Sequence, residues 1–209
     1  MAGAVSRYYQ VLTRNYYEGL SILAMKVFRV SLGVNNFQGF LPTDSNIWKT
    51  DILNMNCKPK VKVWSALSVY ISHPVLERGN FFSLCSGAFV TDIEATKKLR
   101  THLEMGGELL PINHKGETFH LFNTLECVNC LNDEATSWVY GEKTRAKIRI
   151  AKYQFFPDRF SESTLFKIPE TCLGEILTVS GIKDREDEFK WRVEDSGLTG
   201  IKFEELWSA

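Results

Sequence analysis

The residues of this chain best suited to chemistry are its cysteines and histidines, and Cys127-x-x-Cys130 is the spacing that most invites a metal. A structural zinc site needs four ligands, usually two such pairs. Cys57, Cys85, Cys172 and the histidines supply no second pair at short spacing, so no metal is expected. A thioredoxin-like use would want the dithiol at a helix start, where the dipole lowers a thiol pKa. Here Leu131-Asn132-Asp133 follows and reads as loop. His73, His102, His114 and His120 fall on different predicted elements and read as surface or packed side chains. Gly-x-Ser-x-Gly, His-Glu-x-x-His, phosphate-loop and dinucleotide glycine patterns are absent. The expectation is therefore a protein without a catalytic site or cofactor.

Charge supplies two further candidates. Arg145-Ala146-Lys147-Ile148-Arg149-Ile150 alternates bases with apolar residues at the two-residue period of a half-exposed strand. Arg145, Lys147 and Arg149 would share one face toward phosphates, flanked by Lys143 and Lys152, and Tyr153, Phe155 and Phe156 follow as possible stacking groups. The competing reading is a solvated outer sheet face with aromatics in the core. Opposite in sign, residues 184–209 hold eight acids, Asp184, Glu186, Asp187, Glu188, Glu194, Asp195, Glu204 and Glu205, against four bases. Glu186, Asp187 and Glu188 are the candidate contacts to a basic partner, since complementary charge speeds and orients association. A solvated helix face with acids in its first turn explains them equally well.

Lys plus Arg equals Asp plus Glu at 25 each, so the whole chain is neither a basic nucleic-acid binder nor an acidic decoy. With 209 residues, 44% hydrophobic, one well-filled domain is expected, or two merged halves, 25–111 and 112–209. An odd count of five cysteines and no clear secretory leader point to a reduced, cytoplasmic protein. The apolar stretch from Leu20 to Met25 is too short to span a bilayer, and no membrane association is expected. Residues 1–24 read as an extension, with Met25 a possible natural start.

These groups sit on a predicted series of strands and few helices. Met25–Val30 is strand-like; 37–59 is loop-rich, with Trp48 and Trp64 expected inward; Ala66–Ile71 and Gly87–Val90 are strands. Thr91-x-x-Glu94 reads as a capping box opening a helix with Ile93, Leu99 and Leu103 on its apolar face, ended by Gly106 and Gly107. Strands over 108–113 and 118–125 flank a turn at His114–Glu117, and 165–168 and 175–179 are further strands. A helix is expected from Ser180, as its cap, to Asp195, with Ile182, Phe189 and Val193 on one face and Gly197 as its stop. Gly200 then permits a second turn before Ile201 and Phe203 alternate as a strand. The sum is an α+β fold with a mixed, largely antiparallel sheet and a few packed helices.

That closing unit, Gly197-Leu198-Thr199-Gly200-Ile201-Lys202-Phe203-Glu204-Glu205-Leu206-Trp207, resembles the C-terminal signature of a bacterial immunity-protein family, family eleven of the polymorphic-toxin immunity proteins. The resemblance continues in order upstream through Met25-Lys-Val-Phe-Arg-Val-Ser-Leu, Gly79-Asn-Phe-Phe, Gly87-Ala-Phe-Val-Thr-Asp, Glu108-Leu-Leu-Pro111, Leu131-Asn-Asp-Glu-Ala-Thr-Ser137 and Leu165-Phe-Lys167. It implies a protein that binds and neutralises a toxin encoded beside it, as a monomer or homodimer, without an active site of its own. Gly197, Gly200, Phe203 and Trp207 are assigned to architecture. The alternative function is a nucleic-acid-binding accessory protein using the basic strand.

Overall fold

The structure is a computed structural model that describes residues 24–209. The expectation for residues 1–24 lies, Ala24 apart, outside the described residues. Three sheets carry the chain. β1 (Lys26–Leu32) lies inside a four-stranded sheet of order β10-β11-β1-β12, with β10 (Leu165–Phe166), β11 (Ile176–Ser180) and β12 (Ile201–Ser208), all neighbours antiparallel. A six-stranded sheet has the order β2-β3-β6-β7-β5-β4, built from β2 (Phe40–Pro42), β3 (Leu67–Ile71), β4 (Phe81–Phe82), β5 (Ala88–Thr91), β6 (Gly107–His114) and β7 (Glu117–Thr124). β8 (Ser137–Tyr140) and β9 (Lys147–Lys152) form a separate hairpin. Only β3 and β6 pair in parallel among these strands. With helices α1 (Ile93–Gly106) and α2 (Phe189–Asp195), this is the mixed, largely antiparallel α+β domain that the pattern predicts.

The two-residue alternation of the strands gives both large sheets two covered faces. Phe82, Val90, Leu110, Ile112, Phe119 and Leu121 fill one side of the six-stranded sheet with Phe40 and Val69. That sheet curls on itself: beyond β4, Ser83 O accepts from Phe40 N at 2.7 Å, joining its two ends. Phe81, Phe89 and Phe122 point to the other side, onto Ala95, Leu99 and Leu103 of α1, Phe189 and Val193 of α2, and Leu165 and Ile176 of the smaller sheet. Val27, Leu177 and Val179 face a third cluster with Leu131, Ile150 and Phe155. The boundary between residues 111 and 112 falls inside β6, and β1 pairs with strands from the far end of the chain.

The β6–β7 hairpin forms where expected, paired residue by residue from Gly107 with Thr124 to His114 with Glu117. Its two turn residues, Lys115 and Gly116, have φ of 50° and 88°, the backbone that matches the twist of the flanking strands. The start of α1 is displaced by one residue. Asp92 is the N-cap, its Oδ1 accepting from Ala95 N at 2.8 Å, while Thr91 stays in β5 and Glu94 pairs with Lys98. The apolar face shifts with it to Ala95, Leu99 and Leu103, leaving Ile93 50% exposed. Trp48, expected inward, is 48% exposed, whereas Trp64 packs against the first cluster and donates to Pro111 O at 2.9 Å.

The helix predicted from Ser180 is largely absent. Ser180 pairs with Lys26 in β11, Gly181 turns the chain at φ 82°, Arg185–Asp187 forms a 3-10 turn, and α2 has only seven residues. The carboxylate of Glu188 explains the break, because Oε1 accepts from Ile182 N at 2.9 Å and Lys183 N at 3.1 Å and folds the loop back on itself. Among the described residues, no helix is long and apolar enough to cross a membrane.

Candidate interaction surface

The β8–β9 hairpin places unusual residues in solvent. Of the six residues of β9 only Ile150 is buried, and Ile148 and Tyr140 stand 66% and 51% exposed. Its connection, Gly141–Ala146, is closed by Gly141 N donating to Ala146 O at 2.9 Å. Arg145 lies in this turn with φ 56°, outside the strand, and the ladder shifts register twice. The single basic face predicted for Arg145, Lys147 and Arg149 is therefore not assembled. Lys147 is held by both carboxylate oxygens of Asp133 and sits 4.4 Å over the ring of Trp138. Its ammonium and the Trp138 N–H keep the Asp133 carboxyl below its usual range. Arg149 turns toward a cleft.

That cleft, about 580 Å3, opens between β9, the segment Glu170–Cys172 and the face of β1 that carries Arg29. Arg29 is the one charge in the run Val27-Phe28-Arg29-Val30, and its partners come from three distant places in the chain. Its guanidinium meets Glu175 at 3.0 Å, Glu204 at 2.8 Å and the Tyr153 hydroxyl at 3.0 Å, while that hydroxyl donates to Glu175 at 2.7 Å. Burial works against the charge of Arg29, but Glu175, Tyr153 and Glu204 outweigh it and raise its pKa. Burial and the Glu175 hydrogen bond push the Tyr153 hydroxyl up to about 12, so it remains a donor at neutral pH. Arg29 Nε and Glu170 Oε2 are buried without a hydrogen-bond partner. Cys172 and Leu173 at the rim take φ of 52° and 57°, a left-handed backbone costing L residues about 1 kcal/mol or more each. The cleft is thus lined by fixed charges, those of Arg29, Arg149, Glu170 and Glu175.

The acidic tail is far less acidic in three dimensions than in sequence. Glu194, Asp195, Glu204 and Glu205 pair with Lys190, Arg185, Arg29 and Lys26. Glu188 is buried, which removes it from the contact surface proposed for Glu186, Asp187 and Glu188. Glu186 and Asp187 are exposed on the 3-10 turn with Asp184. His102 Nε2 donates to Glu186 O at 3.1 Å and ties that turn to α1.

The remaining reactive groups are dispersed. His73 bonds to Ser72, His114 to Val69 O, and His120 to Thr96. Burial pushes the Cys85 and Cys130 thiols up to about 12. Among the described residues, no group of three or more His, Cys, Asp or Glu side chains is placed to hold a metal ion.

Gly197 and Gly200 sit where the turns need them. Gly197 has φ 65° and ends α2, its N–H donating to Glu194 O at 3.1 Å. Gly200 has φ 98°, and a Cβ there would lie 2.5 Å from Phe81 O. The turn is docked between the sheets: Thr199 O accepts from Asn80 N and Phe81 N, and Gly33 N donates to Gly200 O at 3.0 Å. Phe203 packs on Phe189 in the central cluster, and Trp207 packs on Phe155 and donates to Gln154 at 3.1 Å.

No protein-family model matches the chain, and no curated protein matches it either. The sequence signals missed were Arg29 and Glu175, each a charge interrupting an apolar strand or its edge.

Proposed function

We propose that this chain is a binding protein of the immunity type, which neutralises a partner toxin by occupying the toxin's active site or its substrate approach. The observation that carries the reading is a two-stranded hairpin, exposing Tyr140 and Ile148 at one end, directly beside a charged cleft of about 580 Å3. Exposed aromatic and branched apolar groups next to fixed polar ones are the composition of an interface centre, where a few anchors carry most of the affinity. The ordered resemblance from Met25 to Trp207 supports the same reading and supplies the toxin as partner. Protection would come from occupancy and slow dissociation, without bond chemistry.

The test is co-expression with the product of the adjacent gene, reading growth rescue and co-elution on a sizing column. Rescue with a stable complex is the expected result. A neighbour that is toxic alone, is not rescued and does not co-elute would end the immunity reading. Tyr140→Ser combined with Ile148→Ser should weaken the complex roughly thirtyfold while leaving the fold intact; undiminished binding would move the contact surface elsewhere.

A further inference from the structure

From Met55 to Lys60 the chain runs as a strap against β6, the end of β7 and the segment around Lys167. Asn123 donates to Lys58 O at 3.0 Å, Glu108 accepts from Lys60 N at 2.6 Å, and the Lys167 ammonium donates to Met55 O at 2.5 Å. Lys167 is fully buried, and the ionisable groups acting on it are the thiols of Cys57, Cys85 and Cys127. Cys57 has φ 60°, a backbone that non-glycine residues seldom adopt, and its Sγ lies 4.0 Å from the carbonyl oxygen of Glu126. The next residue of that segment is Cys127, whose thiol is near enough to that of Cys57 to add to the upward push that burial gives it. Cys127 itself bridges to Lys167 through the backbone and is exposed to solvent. Cys130, its companion in the sequence pair, is fully buried in the third cluster.

We propose that Cys57 and Cys127 are an oxidisable dithiol whose disulfide staples the strap to the segment following β7, and that Cys130 takes no part. The oxidant is a small peroxide. The Cys127 thiolate attacks a peroxide oxygen, the O–O bond breaks, and hydroxide leaves and is protonated to water, giving a sulfenic acid. The Cys57 sulfur then attacks that sulfur; the S–S bond forms, the S–O bond breaks, and the hydroxyl departs with the Cys57 proton as a second water. Two thiols lose two electrons and the peroxide gains them. Burial pushes the Cys57 thiol up to about 11 against the opposing charge of Lys167, so Cys57 is the slower nucleophile, and Cys127, exposed to solvent, is the sulfur that meets the peroxide. The site is independent of the partner-binding reading.

The experiment treats the full folded chain with equimolar hydrogen peroxide, alkylates the remaining thiols after denaturation, and digests it without reduction for mass spectrometry. The expected product is a peptide pair joined through Cys57 and Cys127, lighter by two hydrogens and released by dithiothreitol, with Cys85 and Cys130 alkylated. A Cys127–Cys130 link, or Cys127 oxidised without any link to Cys57, overturns the proposal. In Cys57→Ser, Cys127 should instead stop at a sulfenic acid that dimedone traps; a Cys127 disulfide formed within that variant also overturns it.

Discussion

The turn at 197–200 and the hairpin at 137–152 use similar residue types for opposite ends. In the turn, glycines and apolar residues are invested inward: Gly200 backs onto Phe81, Leu198 is buried, and Phe203 reaches the central cluster. In the hairpin, Tyr140 and Ile148 are left in water, with one buried residue in β9. The first region carries the most specific part of the sequence and is architecture. The second is plain in sequence, yet it is where packing rules are broken, and broken packing rules point to a partner.

The sharpest way to break this contrast is at the two glycines. Gly200→Val combines a forced left-handed backbone with a side chain driven into Phe81 O, and should cost about 4 kcal/mol in urea unfolding. Gly197→Ala meets only the backbone penalty, because nothing lies within 4 Å, and should cost about 1 kcal/mol. Equal losses at the two positions would mean that the turn is not docked as described.

Glu188 gives the next largest effect. Glu188→Ala removes the acceptor of two backbone donors in the partly buried loop before α2 and should cost about 2 to 3 kcal/mol. Its exposed neighbour Glu186 should tolerate alanine within about 0.5 kcal/mol. If both substitutions left thermal unfolding unchanged, Glu188 would return to the list of surface contacts. The hairpin reverses the pattern. Tyr140→Ser with Ile148→Ser should change stability by no more than about 0.5 kcal/mol and weaken partner binding by about 2 kcal/mol, roughly thirtyfold. Titration calorimetry against the partner reads the second quantity, and a destabilised but fully binding variant would make the hairpin part of the fold.

Local features were legible in the sequence and distant pairings were not. The β6–β7 hairpin could be read because its turn and both strands lie within 18 residues, Gly107–Thr124. The terminal helix was misread because the spacing of Ile182, Phe189 and Val193 imitates one helical face, although Ile182 packs in the third cluster and the other two in the central one. The acids of the tail were visible, but the cations that neutralise Glu204 and Glu205 lie 175 and 179 residues away. The cleft was hidden for the same reason: Arg29 and Tyr153 are separated by 124 positions, and only the packing of the segment after β9 against β1 brings them together.

The smallest expected effect concerns the link between α1 and the acidic turn. His102 and His120 are both half-buried, and burial lowers the pKa of each below the ordinary 6.5. For His102, Arg192 and Lys183 act in the same direction, against the Glu186 carbonyl and Asp187. A base with a lowered pKa in the folded state takes up protons more readily when unfolded, so its contribution is retained above the unfolded value and lost as pH falls below it. Urea unfolding should therefore show stability declining between about pH 7 and about pH 5.5, before the carboxylates titrate. In His102→Gln, which keeps an N–H to donate to Glu186 O, that decline should be shallower, and adding His120→Gln should flatten it further. A wild-type profile that is level across this interval would show that neither ring is held neutral by the fold, and that the acidic turn is tied to α1 by something other than a buried imidazole.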